Sequence, residues 1–150
     1  KKKKFPYYSH DEIKIRLVRS HNYKLYNSLL KKLFIKKKFD FKKFHKKIYM
    51  NKSEILSLSK KHTIGLHTHS HFFNFDKLNK KIQREEIVLN KNILEKLIKG
   101  KIFHFSYPIG KYNSECFNIL KKNNIKFAFK NNEIKSKNSL LIPRININRL

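Results

Sequence analysis

Histidines fall at every second position in IGLHTHSHFFNF, residues 64–75, where His67, His69 and His71 make up three of the chain's eight. Neutral imidazoles this close together are the side chains a divalent metal takes. His67 and His71 share a face in either local geometry, since four residues make one helical turn or two strand periods. His69 joins them only if the segment stays extended. The hydroxyls of Thr68 and Ser70 can bond ring nitrogens or backbone and so orient the ligands. A catalytic zinc usually takes three protein ligands and keeps a position open for water. Two histidines are therefore half a site, and a third ligand, a carboxylate, must come from elsewhere. Taken alone, the stretch reads more readily as a polar loop than as a metal site.

A second suggestive stretch is SYPIGKY, residues 106–112. Its Pro-x-Gly frame makes a tight turn flanked by Tyr107 and Tyr112, which can line a pocket or join the core. The one cysteine, Cys116, excludes an intrachain disulfide and a Cys-rich zinc site. With no histidine indicated beside it, it reads as a small buried residue. Glu85 and Glu86 read as solvated or salt-bridged. His10, His21, His45, His62 and His104 are isolated and carry no assigned role.

The elements that must position these residues come from periodicity. Residues 1–12 read as an irregular lead-in, and Ile13–Val18 as strand or helix. Apolar residues at 25, 26, 29, 30, 33 and 34 have helical spacing. Phe39, Phe41 and Phe44 among lysines suggest a loop and a short helix. Asn51 with Glu54 forms a capping box opening a helix to about Lys60. Thr63–Leu66 is a short strand running into the histidines. Leu78 to Leu97 is a long amphipathic helix, with Asp76 as its cap and Gly100 as its stop. Ile102–Tyr107 is the next strand. Ser114 caps a helix to about Asn123, and Ile125–Phe129 and Leu140–Ile147 are strands. Helix and strand alternate, which predicts parallel βα units. In such folds sites lie on loops at the carboxyl ends of strands, and both suggestive stretches follow predicted strands.

Composition bounds the rest. At 150 residues, 39% hydrophobic, the chain is long enough to bury a core as a single domain. No apolar run approaches the ~20 residues of a membrane span. Lys1–Lys4 are not followed by the apolar region of a signal peptide, which favours a cytoplasmic setting. The formal charge is +27, yet only five of the 37 basic residues are Arg: Arg16, Arg19, Arg84, Arg144 and Arg149. Specific phosphate and base readers lean on Arg. Lys, Asn, Ile, Phe and Tyr all have A/T-rich codons, so codon bias accounts for much of the charge. Some nonspecific affinity for nucleic acid or other anions follows in either case.

Together, EILSLSKKHTIGLHTHSH and, some thirty residues later, FSYPIGKYN resemble the polysaccharide deacetylase family, the NodB-homology enzymes. The family's H-[ST]-x-x-H motif matches His67–His71, and one branch's F-[AS]-Y-P-x-G-x-Y matches Phe105–Tyr112. The resemblance covers roughly residues 50–130. It divides the chain into a poorly matched segment, 1–50, packing on a deacetylase-like core, 51–150, within one domain.

The resemblance implies an α/β fold, an incomplete or distorted (β/α) barrel. It implies that His67 and His71 bind a divalent metal, Zn²⁺ above all, with His69 a bystander and Thr68 and Ser70 supporting. Tyr107, Pro108 and Gly110 would shape the acetyl pocket, with the Tyr107 N–H facing the oxyanion. The reaction implied is hydrolysis of N-acetyl groups on a sugar or polysaccharide. The family's [ST]-F-D-D-G motif, source of the general-base Asp and a metal-binding Asp, has no counterpart: the aspartates are Asp11, Asp40 and Asp76, none paired. No histidine follows His104 to match the family's general acid, while Arg144 matches a late arginine of relatives. The expectation is a fragment whose general-base Asp lies upstream of Lys1. The alternative is a noncatalytic cationic binding module on a degenerate deacetylase scaffold, holding nucleic acid or acidic glycan.

Overall fold

The structure, a computed structural model, describes residues 23–145. The expected irregular lead-in and the Ile13–Val18 element lie outside those residues. The chain divides into two compact units, Lys1–Tyr49 and Met50–Leu150.

In the first unit, α1 (Tyr23–Lys36) and α2 (Phe41–Ile48) are joined by a short turn. The Asp40 carboxylate caps α2 by accepting from the Lys43 N–H at 3.0 Å. Phe39 in the turn stacks on Phe34 and meets Phe44 edge-on, with centroids 5.1 and 4.9 Å apart. The phenylalanines among the lysines thus clasp the two helices together.

The second unit opens with α3 (Lys52–Ser59). The expected capping box is present: the Glu54 N–H donates to Asn51 Oδ1 at 3.0 Å, and the Asn51 N–H to Glu54 Oε2 at 2.7 Å. Then come α4 (Lys80–Ile98), β1 (His104–Ser106), α5 (Ser114–Lys122) and β2 (Phe127–Phe129). β1 and β2 pair in parallel, Phe105 opposite Ala128. Leu66 bridges to Phe105 and Ile142 to Phe129, again in parallel. Four extended passes therefore lie side by side in chain order, with α4 between the first two and α5 between the next two. This is the expected βα rhythm, but the regular strands are shorter than their apolar runs. Thr63–Leu66 pairs only at Leu66, whose N–H and C=O meet the His104 C=O and Ser106 N–H at 2.8 Å each. Leu140–Ile147 is a bridge at Ile142, with residues 146 and 147 outside the described range. The sheet is small and does not close among the described residues.

Alternation in the strands sends Leu66, Phe105 and Ala128 to one face, where Ile87 of α4 and Cys116, Ile119 and Leu120 of α5 complete a core with Phe75, Ile102, Tyr107, Ile125 and Leu140. Cys116 is buried as expected, and its thiol donates to Gln83 Oε1 at 3.2 Å. Helix limits are shifted by a few residues at three points. Asp76 sits in a 3₁₀ turn, Phe75–Lys77, and Asn79 caps α4 instead. Asn113, not Ser114, caps α5 by accepting from the Cys116 N–H at 3.0 Å. At the end of α4 the left-handed residue is Lys99, φ 50°, rather than Gly100. Each time the cap is the Asx or polar residue whose side chain or backbone reaches the free helix end.

Candidate functional site

The chain leaves the sheet at Leu66 and turns at once into the histidine loop. The His67 N–H donates to Asn90 Oδ1 on α4 at 3.1 Å. Its ring nitrogen Nδ1 lies 2.7 Å from the Ser106 carbonyl at the end of β1. A carbonyl only accepts, so Nδ1 carries the proton and the neutral ring keeps its Nε2 lone pair free. The His67 and His71 rings stand edge to face, 4.7 Å between centroids. His69 is exposed and has no ring contact with either among the described residues. Partial burial lowers the His67 pKa from its ordinary value; the Ser106 bond opposes this, and the nearby charges of His71 and Arg144 reinforce it. The neutral form a metal needs is thereby favoured.

The loop is bent in a costly way. Thr68 and His71 have φ of 65° and 51°, a left-handed conformation worth about 1–3 kcal/mol of strain for each non-glycine residue. Three hydrogen bonds hold it. The His71 N–H donates to Thr68 Oγ1 at 3.1 Å, and Ser70 donates through its N–H to Glu86 Oε2 at 2.6 Å and through its hydroxyl to Glu86 Oε1 at 2.9 Å. Thr68 and Ser70 therefore fix the backbone and not the imidazole nitrogens. Glu86 corrects the expectation of a solvated or salt-bridged side chain. It is 8% exposed, bonded to Ser70, and in no ion pair among the described residues. The helix period carried a signal for it: Gln83, Glu86 and Asn90 fall on the stripe that also carries Ile87 and Leu94, and a polar residue on an apolar stripe needs a partner.

The SYPIGKY stretch folds as a 3₁₀ turn, Pro108–Gly110, directly after β1. Tyr107 is fully buried, its hydroxyl donating to the Leu140 carbonyl at 2.9 Å. Burial raises its phenol pKa well above the ordinary value, with Cys116 and Tyr112 adding to it. The Tyr107 N–H, expected at an oxyanion, donates to the Phe129 carbonyl at 3.0 Å as the sheet extends past β1. In this geometry it is not free to meet one. Tyr112 packs between Tyr107 and Phe117, at 5.2 and 5.6 Å. Pro108 is buried; Ile109 is exposed with φ 55°, and Gly110 has φ 73°. Beside His67, an open cleft of about 450 Å³ is lined by Thr63, Gly65, His104, Ser106 and Phe129. Ser106 Oγ is buried there without a hydrogen-bond partner among the described residues.

Two imidazoles in contact, one with its tautomer set by a carbonyl, suit two positions of a divalent site. Among the described residues, no group of three or more His, Cys, Asp or Glu is arranged to hold a metal. Asp40 caps α2, and Asp76 lies in the 3₁₀ turn before α4, where its carbonyl accepts from Asn113 Nδ2 at 2.6 Å. Neither joins the histidines in a metal-holding group.

A sequence model of polysaccharide deacetylases matches residues 19–128. Among solved structures, the chain is similar to the Streptococcus pyogenes deacetylase PplD, solved in complex with acetate. The identity is 24% and the TM-score 0.60, over 65% of this chain and 45% of that one. The chain thus spans less than half the length of that relative, and the likeness is one of fold. No curated protein matches the chain.

Proposed function

The chain belongs to the polysaccharide deacetylase family, and from that premise we propose that it carries the metal-binding part of an enzyme that hydrolyses N-acetyl groups on a sugar or polysaccharide. The parallel passes are then part of a distorted (β/α) barrel. His67 and His71 are two ligands of a divalent cation, Zn²⁺ by preference. Such a cation, when bound, lowers the pKa of water towards about 7 and polarises the amide carbonyl. The chain's own residues do the holding: Ser106 orients the His67 ring, and the Pro108–Gly110 turn shapes the adjoining surface for the acetyl group. The third ligand and the general base, aspartates by resemblance, are supplied by residues other than those described. The observation that carries this reading is the His67 Nδ1 bond to the Ser106 carbonyl at 2.7 Å, which leaves Nε2 as the ring's lone-pair donor while the His71 ring lies 4.7 Å away between centroids.

Calorimetric titration of the full chain with Zn²⁺ tests it. About one ion per chain is expected, lost in His67→Ala/His71→Ala and retained in His69→Ala. A double variant that binds as tightly as the parent overturns the reading. A second reading, a cationic binding module, is favoured by a cleft of about 590 Å³ between α4 and α5, lined by Lys80, Arg84 and Lys122, of which Lys80 also pairs with Glu115 at 2.9 Å. It predicts salt-sensitive retention of nucleic acid without deacetylation.

A further inference from the structure

We propose that Glu86 and Asn90, one turn apart on α4, are positioning residues that set the geometry of the His67 and His71 imidazoles; this rests on reading those two rings as metal ligands. Asn90 Oδ1 fixes the His67 amide at 3.1 Å while the Ser106 carbonyl fixes its ring at 2.7 Å. His67 is thereby pinned at both ends, to the helix through its backbone and to the sheet through its side chain. Glu86 works on the other ligand. It takes the Ser70 N–H and the Ser70 hydroxyl on separate carboxylate oxygens, at 2.6 and 2.9 Å. Ser70 immediately precedes His71, whose φ of 51° lies in the left-handed region that few non-glycine residues occupy. Holding both donors of Ser70 fixes the peptide that leads into that conformation, and so the direction of the His71 ring.

Two features separate this from ordinary loop packing. Both Glu86 oxygens are engaged by Ser70, one donor each, so the carboxylate acts on the loop residue that precedes His71. It is also 8% exposed with no ion pair among the described residues, so its hydrogen-bonding capacity goes to the loop. A glutamine would offer one oxygen acceptor, whereas Ser70 presents two donors, one to each carboxylate oxygen. The helical spacing i, i+4 places Glu86 and Asn90 on one face, so a single rigid element holds both ends of the loop.

The test uses the full chain and two readouts: Co²⁺ affinity from visible absorption, and amide hydrogen exchange at Ser70 and His71 without metal. Glu86→Gln should speed Ser70 exchange at least about tenfold and weaken Co²⁺ about 10- to 100-fold, the usual effect of losing a ligand's support. Ser70→Ala should weaken Co²⁺ too, and the double variant should be no worse than the worse single one. Ser70→Ala removes one of the two donors from the loop side, leaves the helix residue in place, and carries the test if Glu86→Gln does not fold. Unchanged exchange in Glu86→Gln overturns the proposal, as does Co²⁺ affinity within about twofold of the parent when His67→Ala/His71→Ala has lost binding. If the parent binds no Co²⁺, the ligand reading falls. The exchange data then decide the positioning role alone: faster exchange upholds it for the loop, and unchanged exchange overturns it.

Discussion

Gly110→Ala should be among the most damaging single-methyl additions in this chain. Gly110 closes the turn after β1 with φ +73°, and a Cβ built there lies 2.6 Å from the Asn131 nitrogen, 2.7 Å from its Cβ and 3.1 Å from its Cα. Ordinary contact begins near 3.4 Å, so backbone must move by about 0.8 Å. The left-handed conformation costs an alanine about 1–2 kcal/mol, and overpacking against atoms that cannot swing away adds about 1–3 kcal/mol. The expected loss is about 2–5 kcal/mol. Gly65→Ala is the control. Its Cβ meets His104 at 3.4 Å, an ordinary contact, and the stiffer unfolded chain offsets part of any strain. It should stay within about 1 kcal/mol of the parent. Urea melts of the three proteins, compared at constant m, give the answer. If Gly110→Ala melts with Gly65→Ala, the turn is not held against Asn131 as described and the reasoning fails.

Tyr107→Phe should lose about 1–2 kcal/mol, because the buried Leu140 carbonyl loses its donor, while Zn²⁺ affinity holds; normal stability with lost affinity would move Tyr107 into the site. The Cys116 thiol is pushed up to about 11 by burial, so iodoacetamide at pH 8 should label it only as the protein unfolds. Because the folded value lies above the ordinary 9.0, the stability it contributes is intact below pH 9 and falls as pH rises towards 11; a urea midpoint that rises over that window refutes the burial. Asn51→Ala removes the cap of α3 and should cost about 1 kcal/mol, checked by the same melts. Fluorescence anisotropy with duplex DNA should show binding that falls steeply with salt, and weak binding at low salt would count against the cationic-module reading.

The elements readable in the sequence are those whose signals are local. The 3.6-residue apolar stripe of α4, the Asn51–Glu54 box and the βα alternation all depend on neighbours within a few positions. The strand ends were less legible. An apolar run marks what can be buried, but pairing at Leu66 alone depends on where the His104 carbonyl lies. The N-caps of α4 and α5 shifted by three residues and one because several Asx and Ser side chains stand near each helix start, and only the turn's path selects among them.

The site divides the same way. Residue types and spacing placed the three histidines after a strand and marked SYPIGKY as the second stretch to watch; the resemblance to the deacetylase motifs then singled out His67 and His71. They could not assign the partners. Ser106 reaches His67 across 39 positions and Glu86 reaches Ser70 across 16, and no periodicity encodes which donor meets which acceptor. Tyr107 shows the reverse: a motif tyrosine whose hydroxyl and N–H are both taken up by Leu140 and Phe129. Composition and local spacing determine which side chains are available and which elements form. Only the packing of α4 against the sheet decides which polar groups are buried together, because a buried donor must find an acceptor wherever the fold has put one.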